Sequence, residues 1–218
     1  MRVVIAGGHG KIARRLERLL AARGDQVIGL IRKPEQEADL REAGAEPVVL
    51  DLEHTTVAAV AETLSGADAA VFAAGAGPGS GAARKETVDR AAAVLLADAA
   101  EQAGVRRFVQ ISAMGLDRAD GPGVDPVFSA YLKAKAAAEA DLRRRDSLDW
   151  TILRPGRLTD EPGTGRVRLA ESVAPGDVTR DDVAAVLAAL LGEAQTFRRT
   201  LELVQGDVPI EEAVRALR

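Results

Sequence analysis

The sequence predicts an α/β fold: a doubly wound parallel sheet with helices on both faces and a small C-terminal appendage. Three observations carry this. Short β-branched runs alternate with longer Ala/Leu/Arg stretches at helical spacing, the pattern of parallel strands joined by crossover helices. The chain opens on an apolar run that passes through a glycine turn straight into an amphipathic stretch. Two loops rich in Gly and Pro, 75–81 and 154–165, follow predicted strands, at the carboxyl edge where open α/β sheets bind ligands.

Taken in order, strands are expected at about 2–6, 26–31, 46–50, 68–73, 106–111 and 149–153, with a late one near 199–204. Helices are expected at about 10–23, 34–43, 55–64, 82–103, 129–145, 180–192 and 209–217. Gly24, Gly44, Gly66 and Gly104 each follow a helical pattern where a left-handed cap is needed, and Asp125-Pro126 offers an N-cap with proline at the first helical position. No repeat or linker divides the chain. Residues 1–218 are expected to form one domain, to which 154–218 contribute a small substrate-side region.

Composition narrows the function. The apolar fraction of 47% over 218 residues suits an ordinary globular core. There is no cysteine, which excludes a disulfide scaffold, a thiol nucleophile and a thiolate metal site. With only two histidines, His9 and His54, a multi-histidine metal centre is not expected. Lys+Arg 29 against Asp+Glu 33 gives a net charge of −4, no electrostatic case for a nucleic-acid or membrane-surface partner. The apolar run 183–191 is far short of the roughly 20 residues of a bilayer span. A cytoplasmic protein acting on small molecules, monomeric or homodimeric, is expected.

The run RVVIA leads into Gly7-Gly8-His9-Gly10-Lys11-Ile12-Ala13 and then a helix. Glycines let the backbone pass close to a pyrophosphate, helix N-terminal amides hold its charge, and Ala13 is small enough to pack helix on strand. This is the dinucleotide-binding opening of a Rossmann-type sheet. After the second strand the chain reads Leu30-Ile31-Arg32-Lys33-Pro34, two cations where an NAD site usually carries an acid, and this favours NADP (NADPH). Alternatively the two cations only solvate a helix start, with Glu35 and Glu37 as partners. Asp51 meets the adenine edge or merely caps its loop. Leu52 beside it, and Ala73, Ala74 and Gly75 after the fourth strand, complete the expected cofactor-binding set.

The single tyrosine, Tyr131, precedes Lys135 by four residues, one helical turn. An ammonium beside a phenol favours the phenolate and brings the group toward the working range of an acid/base catalyst. Ser112, ending the fifth strand in FVQISAMG, can donate to a carbonyl oxygen, or it caps its turn.

Together the G-x-x-G-x-x-A turn, the serine and the Y-x-x-x-K helix resemble the short-chain dehydrogenase/reductase superfamily. The phrases AGGHGKIA, FVQISAMG, YLKAKAAAE and TILRPGRLTDEPGTGRV resemble its atypical, epimerase/dehydratase-like branch, over nearly the whole chain. The resemblance implies that Tyr131 moves a proton at the substrate oxygen, Ser112 positions that oxygen, and Lys135 holds the nicotinamide ribose and tunes the tyrosine. It implies that Pro155, Gly156, Arg157 and Leu158 run along the nicotinamide. An asparagine normally completes the set; Asp89 falls at its place. Beside Lys135 it would stabilise the ammonium and disfavour a phenolate, or it is only a helix-N-terminal acid. An NADP-dependent oxidoreductase acting on a small carbonyl, quinone or flavin is expected. A non-catalytic NADP-binding sensor and an NAD(P)-dependent epimerase or dehydratase stay open.

Overall fold

The computed structural model describes residues 1–77 and 79–217, so position 78 of the predicted loop 75–81 lies outside the described residues. Strands β1 (Arg2–Ala6), β2 (Gln26–Ile31), β3 (Glu46–Val49), β4 (Ala69–Phe72), β5 (Arg107–Ile111), β6 (Asp149–Pro155) and β10 (Arg199–Gln205) form a parallel array in the order β3-β2-β1-β4-β5-β6-β10. The order reverses at β1/β4, the switch point at which open α/β sheets bind ligands.

Among the described residues seven helices surround the sheet: α1 (Lys11–Ala22), α2 (Glu37–Glu42), α3 (Val57–Leu64), α4, α5 (Pro126–Leu142), α6 (Arg180–Leu190) and α7 (Ile210–Arg215). Helix α4 runs through three segments, Ala82–Arg84, a π-helical Lys85–Ala92 and Ala93–Ala103, and stops at Gly104, whose φ of 73° is left-handed. Helix α5 starts three residues earlier than its apolar spacing indicates, because Asp125 caps it by accepting from the Val127 and Phe128 amides.

Period-two strands between two helix layers give two cores. Val3 and Ile5 of β1 pack with Leu16, Leu20, Val183 and Leu187 on one face, and Val4 and Ala6 with Phe72, Phe108 and Leu96 on the other. Each fully buried Val, Leu, Ile or Phe side chain contributes about 1.5–3 kcal/mol. Arg107 ties the layers together: it donates to the Leu190 and Leu191 carbonyls at the end of α6 and to Thr151 and Thr196 hydroxyls.

The C-terminal third departs from expectation. The stretch read as a loop, 154–165, contains the end of β6 and strand β7 (Arg157–Thr159), which pairs with β9 (Asp177–Thr179) as a separate two-stranded sheet. Strands β8 (Arg166–Ala170) and β11 (Val208–Pro209) extend the main sheet beyond β10, with β8 antiparallel to both. Much of the appendage is therefore sheet edge. These strands are short and the glycines between them mask their periodicity.

Glu17 on α1 is fully buried, and neither carboxyl oxygen has a hydrogen-bond partner among the described residues. It lies against the glycine turn; a Cβ on Gly8 would come within 2.9 Å of its Oε1. Burial pushes its pKa up to about 8, against the partial opposition of Arg14 and Arg18. A carboxyl raised above its unfolded value contributes stability that is complete below about pH 4.5 and is lost as pH rises through about 8. We expect Glu17→Gln, a neutral isostere, to flatten that decline and to exceed the parent's stability above pH 8 in urea titrations. An unchanged pH slope would assign the titration to other groups.

Candidate active site

At the first end of the site, β1 delivers the chain into the turn 7–10. The Gly10 amide donates to the Gly7 carbonyl at 2.8 Å, and Gly7 has φ +80°. A Cβ there would lie 2.6 Å from the Ala74 Cα, so only glycine lets this turn abut the segment after β4. Helix α1 has no side-chain cap at Gly10 and no acid in its first turn. Its N-terminal amides are thus left for an anion, and this fits a dinucleotide pyrophosphate.

A cleft of about 270 Å³ opens beside the turn, lined by Gly7, His9, Gly10, Arg32, Asp51, Leu52, Ala73, Ala74 and Gly75 among others. Of the expected cofactor residues, Gly8, Lys11, Lys33, Pro155, Gly156 and Arg157 line neither this cleft nor the second one. Gly8 faces inward, its amide on the Leu30 carbonyl. Lys11 pairs with Asp160 and Arg157 with Asp177. Gly156 is packed against Gly176, where a Cβ would lie 2.1 Å from the carbonyl oxygen. Lys33 is exposed, its amide held by Gln36. The pairing of Arg32 with Glu35 or Glu37 does not occur either. Glu37 holds Arg41, while Arg32 lies 3.6 Å from Glu53.

Glu53 was not anticipated. Its carboxylate accepts from Arg84 at 2.6 Å and from the Thr87 hydroxyl at 2.6 Å. Arg84 above all holds it below the usual carboxylate range. Two arginines, one just after β2 and one from α4, thus converge on one acid at the wall of the first cleft. The signal was present: Arg84, like Arg32, is a cation near a helix start, where the dipole opposes it. Asp51, meanwhile, accepts from the Glu53 amide while lining the cleft.

The second cleft, about 470 Å³, brings together Ile12, Lys85, Asp89, Ser112, Phe128, Tyr131, Lys135 and Leu158. Leu158 is the one described residue of 154–218 that lines either cleft. The wide turns of a π-helix, common at functional sites, carry Lys85 and Asp89. The Lys135 Nζ sits 3.2 Å from Asp89 Oδ1 and donates to the Ile111 carbonyl at 3.2 Å. Asp89 Oδ2 also accepts from the Ala76 amide, at 3.2 Å. Both partners are buried, so Asp89 is not a solvated helix-terminal acid.

Burial holds the Lys135 ammonium below the usual lysine range, with Asp89 opposing. Tyr131 is pushed up to about 12, by burial first and by the Asp89 charge second. This corrects the expectation that lysine at four residues' distance lowers the phenol: its charge is compensated by Asp89, and the ring is partly shielded from water. The Ser112 hydroxyl is buried, with no hydrogen-bond partner among the described residues. A second lysine, Lys85, also went unnoticed in the sequence; it donates to the Gly77 carbonyl at 2.9 Å and lies 5.6 Å from the Tyr131 ring centre.

A glycine-turn dinucleotide cleft that shares its wall with a serine, tyrosine and lysine cluster defines the class: an NAD(P)-binding protein of the Rossmann type. The chain belongs to the NAD(P)H-binding family, whose pattern it matches over residues 7–194. It is 37% identical over the full length of both chains to the uncharacterized sugar epimerase YhfK of Bacillus subtilis. A solved Bacillus halodurans protein that carries the name of an NAD-dependent epimerase/dehydratase is also 37% identical and superposes with a TM-score of 0.90, covering 99% of each chain. The oxidoreductase ylbE of Lactococcus lactis is 28% identical with a TM-score of 0.85, covering 100% of this chain and 96% of that one. No helix among the described residues is long and apolar enough to cross a membrane.

Proposed function

We propose that the chain is an NADPH-dependent oxidoreductase that reduces a small carbonyl-type, quinone or flavin substrate, with Tyr131 as the proton donor. The observation that carries this is the buried, unpartnered Ser112 hydroxyl in the same cleft as Tyr131 and the Asp89–Lys135 pair. A buried polar group without a partner costs about 1–3 kcal/mol, and a substrate oxygen is a partner that would recover it. When bound, the nicotinamide supplies the hydride. Ser112 orients the substrate oxygen, Tyr131 passes its phenolic proton to the developing alkoxide, and Lys135, fixed by Asp89 and the Ile111 carbonyl, positions the cofactor ribose. The test is NADPH oxidation, followed by absorbance, against a panel of ketones, quinones and flavins. Turnover with none of them would refute the reading.

The preference for NADPH rests on Arg32, joined by Arg84 across Glu53. Exchanging Glu53 for a 2′-phosphate replaces one anionic partner of two arginines by another of higher charge. We expect Arg32→Ala and Arg84→Ala each to weaken NADPH by about 1.5–3 kcal/mol and NADH hardly at all in calorimetric titrations. Equal affinity of the parent for both cofactors would refute the preference.

An epimerase with a retained cofactor is the second reading, favoured by the name of the B. subtilis relative. It differs in outcome, since its cofactor is not consumed. A net charge of −4 supports a small-molecule partner over nucleic acid. We place the protein in the cytoplasm as a monomer or homodimer.

A further inference from the structure

The second cleft contains a cation that the acid/base chemistry above does not use. Lys85 is 8% exposed, and its ammonium has the Gly77 carbonyl as hydrogen-bond acceptor. The charged groups facing it are few. Asp89, four residues on, is engaged by Lys135 and the Ala76 amide. Asp125, at the cleft mouth, is exposed and turned to its own helix amides, where water screens it. Lys135 adds a second positive charge. Among the described residues this ammonium has one hydrogen-bond acceptor, a neutral carbonyl, and the Tyr131 ring face 5.6 Å away, with no carboxylate paired to it, and an anion entering the cleft would complete it.

The wall beside Lys85 is aromatic. Phe128 stacks on Tyr131 with ring centres 5.9 Å apart and planes inclined by 24°, yet it remains 53% exposed. Phe128 thus lines the cleft with much of its surface accessible, and the rest of the lining includes Ile12, Ile111 and Val127. Such a surface favours flat, conjugated rings over saturated ones. We propose that this cleft takes a planar, conjugated substrate bearing an anionic group, its ring against Phe128 and its anion on Lys85. The proposal deepens the oxidoreductase reading by naming a substrate class, and rests on it for the step that follows binding.

Redox-inert probes separate the two. Naphthalene-2-carboxylate and its neutral isostere naphthalene-2-carboxamide, titrated calorimetrically into protein saturated with NADPH, report binding without turnover. We expect the carboxylate to bind at least tenfold more tightly. Lys85→Gln should erase that preference while leaving the carboxamide within threefold, and Lys85→Arg should keep it. Phe128→Leu should weaken both naphthalenes several-fold but spare decalin-2-carboxylate. No preference for the anion in the parent protein would overturn the proposal. So would an equal loss for both probes in Lys85→Gln, which would make Lys85 only an anchor for the loop at Gly77. The anionic preference without NADPH oxidation by any carbonyl would leave the proposal standing and refute the oxidoreductase reading alone.

Discussion

Tyr131→Phe should reduce turnover about 10²–10⁴-fold while leaving NADPH affinity within a factor of two. The substitution removes one oxygen and keeps the ring that stacks on Phe128 and faces the ammoniums of Lys85 and Lys135. Packing, and hence cleft shape, is conserved. Because Tyr131 is held at about 12, its proton is present across the working range, so the parent's reduction rate should be flat from neutrality to about pH 11. The reverse oxidation needs the phenolate and should rise about tenfold per pH unit there. Single-turnover measurements in both directions check this. Parent-like turnover in Tyr131→Phe would transfer the proton to another group.

The order of strands and helices was legible because each element carries its own periodicity and stop signal: Gly104 ends α4, and Asp125-Pro126 starts α5. The first turn was legible for the same reason, a strand, a glycine run and a helix being contiguous in sequence. What the sequence concealed is held together across long separations. Glu53 meets Arg84 thirty-one residues away, and no local pattern pairs them. Pro155 to Arg157 resemble a cofactor-lining segment, but β7 pairs with β9 and turns Arg157 to Asp177. The Tyr131 shift was half legible: Asp89 at the asparagine's place implies a disfavoured phenolate, as found, whereas the lowering expected from Lys135 is not seen. Spacing gives the neighbour, Lys135, whereas the sign depends on how deeply both are buried and on what else pairs with the ammonium.

Asp89→Asn isolates that last effect, since it removes a charge and nearly preserves shape. The Asp89 charge is one of the two causes that raise Tyr131, so its removal should lower the phenol's pKa by a fraction of a unit to about two units. The alkaline fall in the reduction rate then moves down into the measurable range, and oxidation near neutrality accelerates. Stability should change as well. Removing one partner of a buried ion pair typically costs about 3–5 kcal/mol, moderated here by the Ile111 carbonyl that still accepts from Lys135. The sign of its pH dependence follows from the lysine. Burial already holds Lys135 below its ordinary value, and loss of the counter-charge lowers it further. Between that lowered value and the unfolded value near 10.5, the unfolded chain binds more protons than the folded one. In Asp89→Asn the resulting rise in stability begins at a lower pH than in the parent, so stability relative to the parent should recover between the two folded-state Lys135 values and stay level above them. A constant deficit at every pH, with an unshifted rate profile, would mean that Asp89 serves only to hold the Ala76 amide and has no electrostatic part in the reaction.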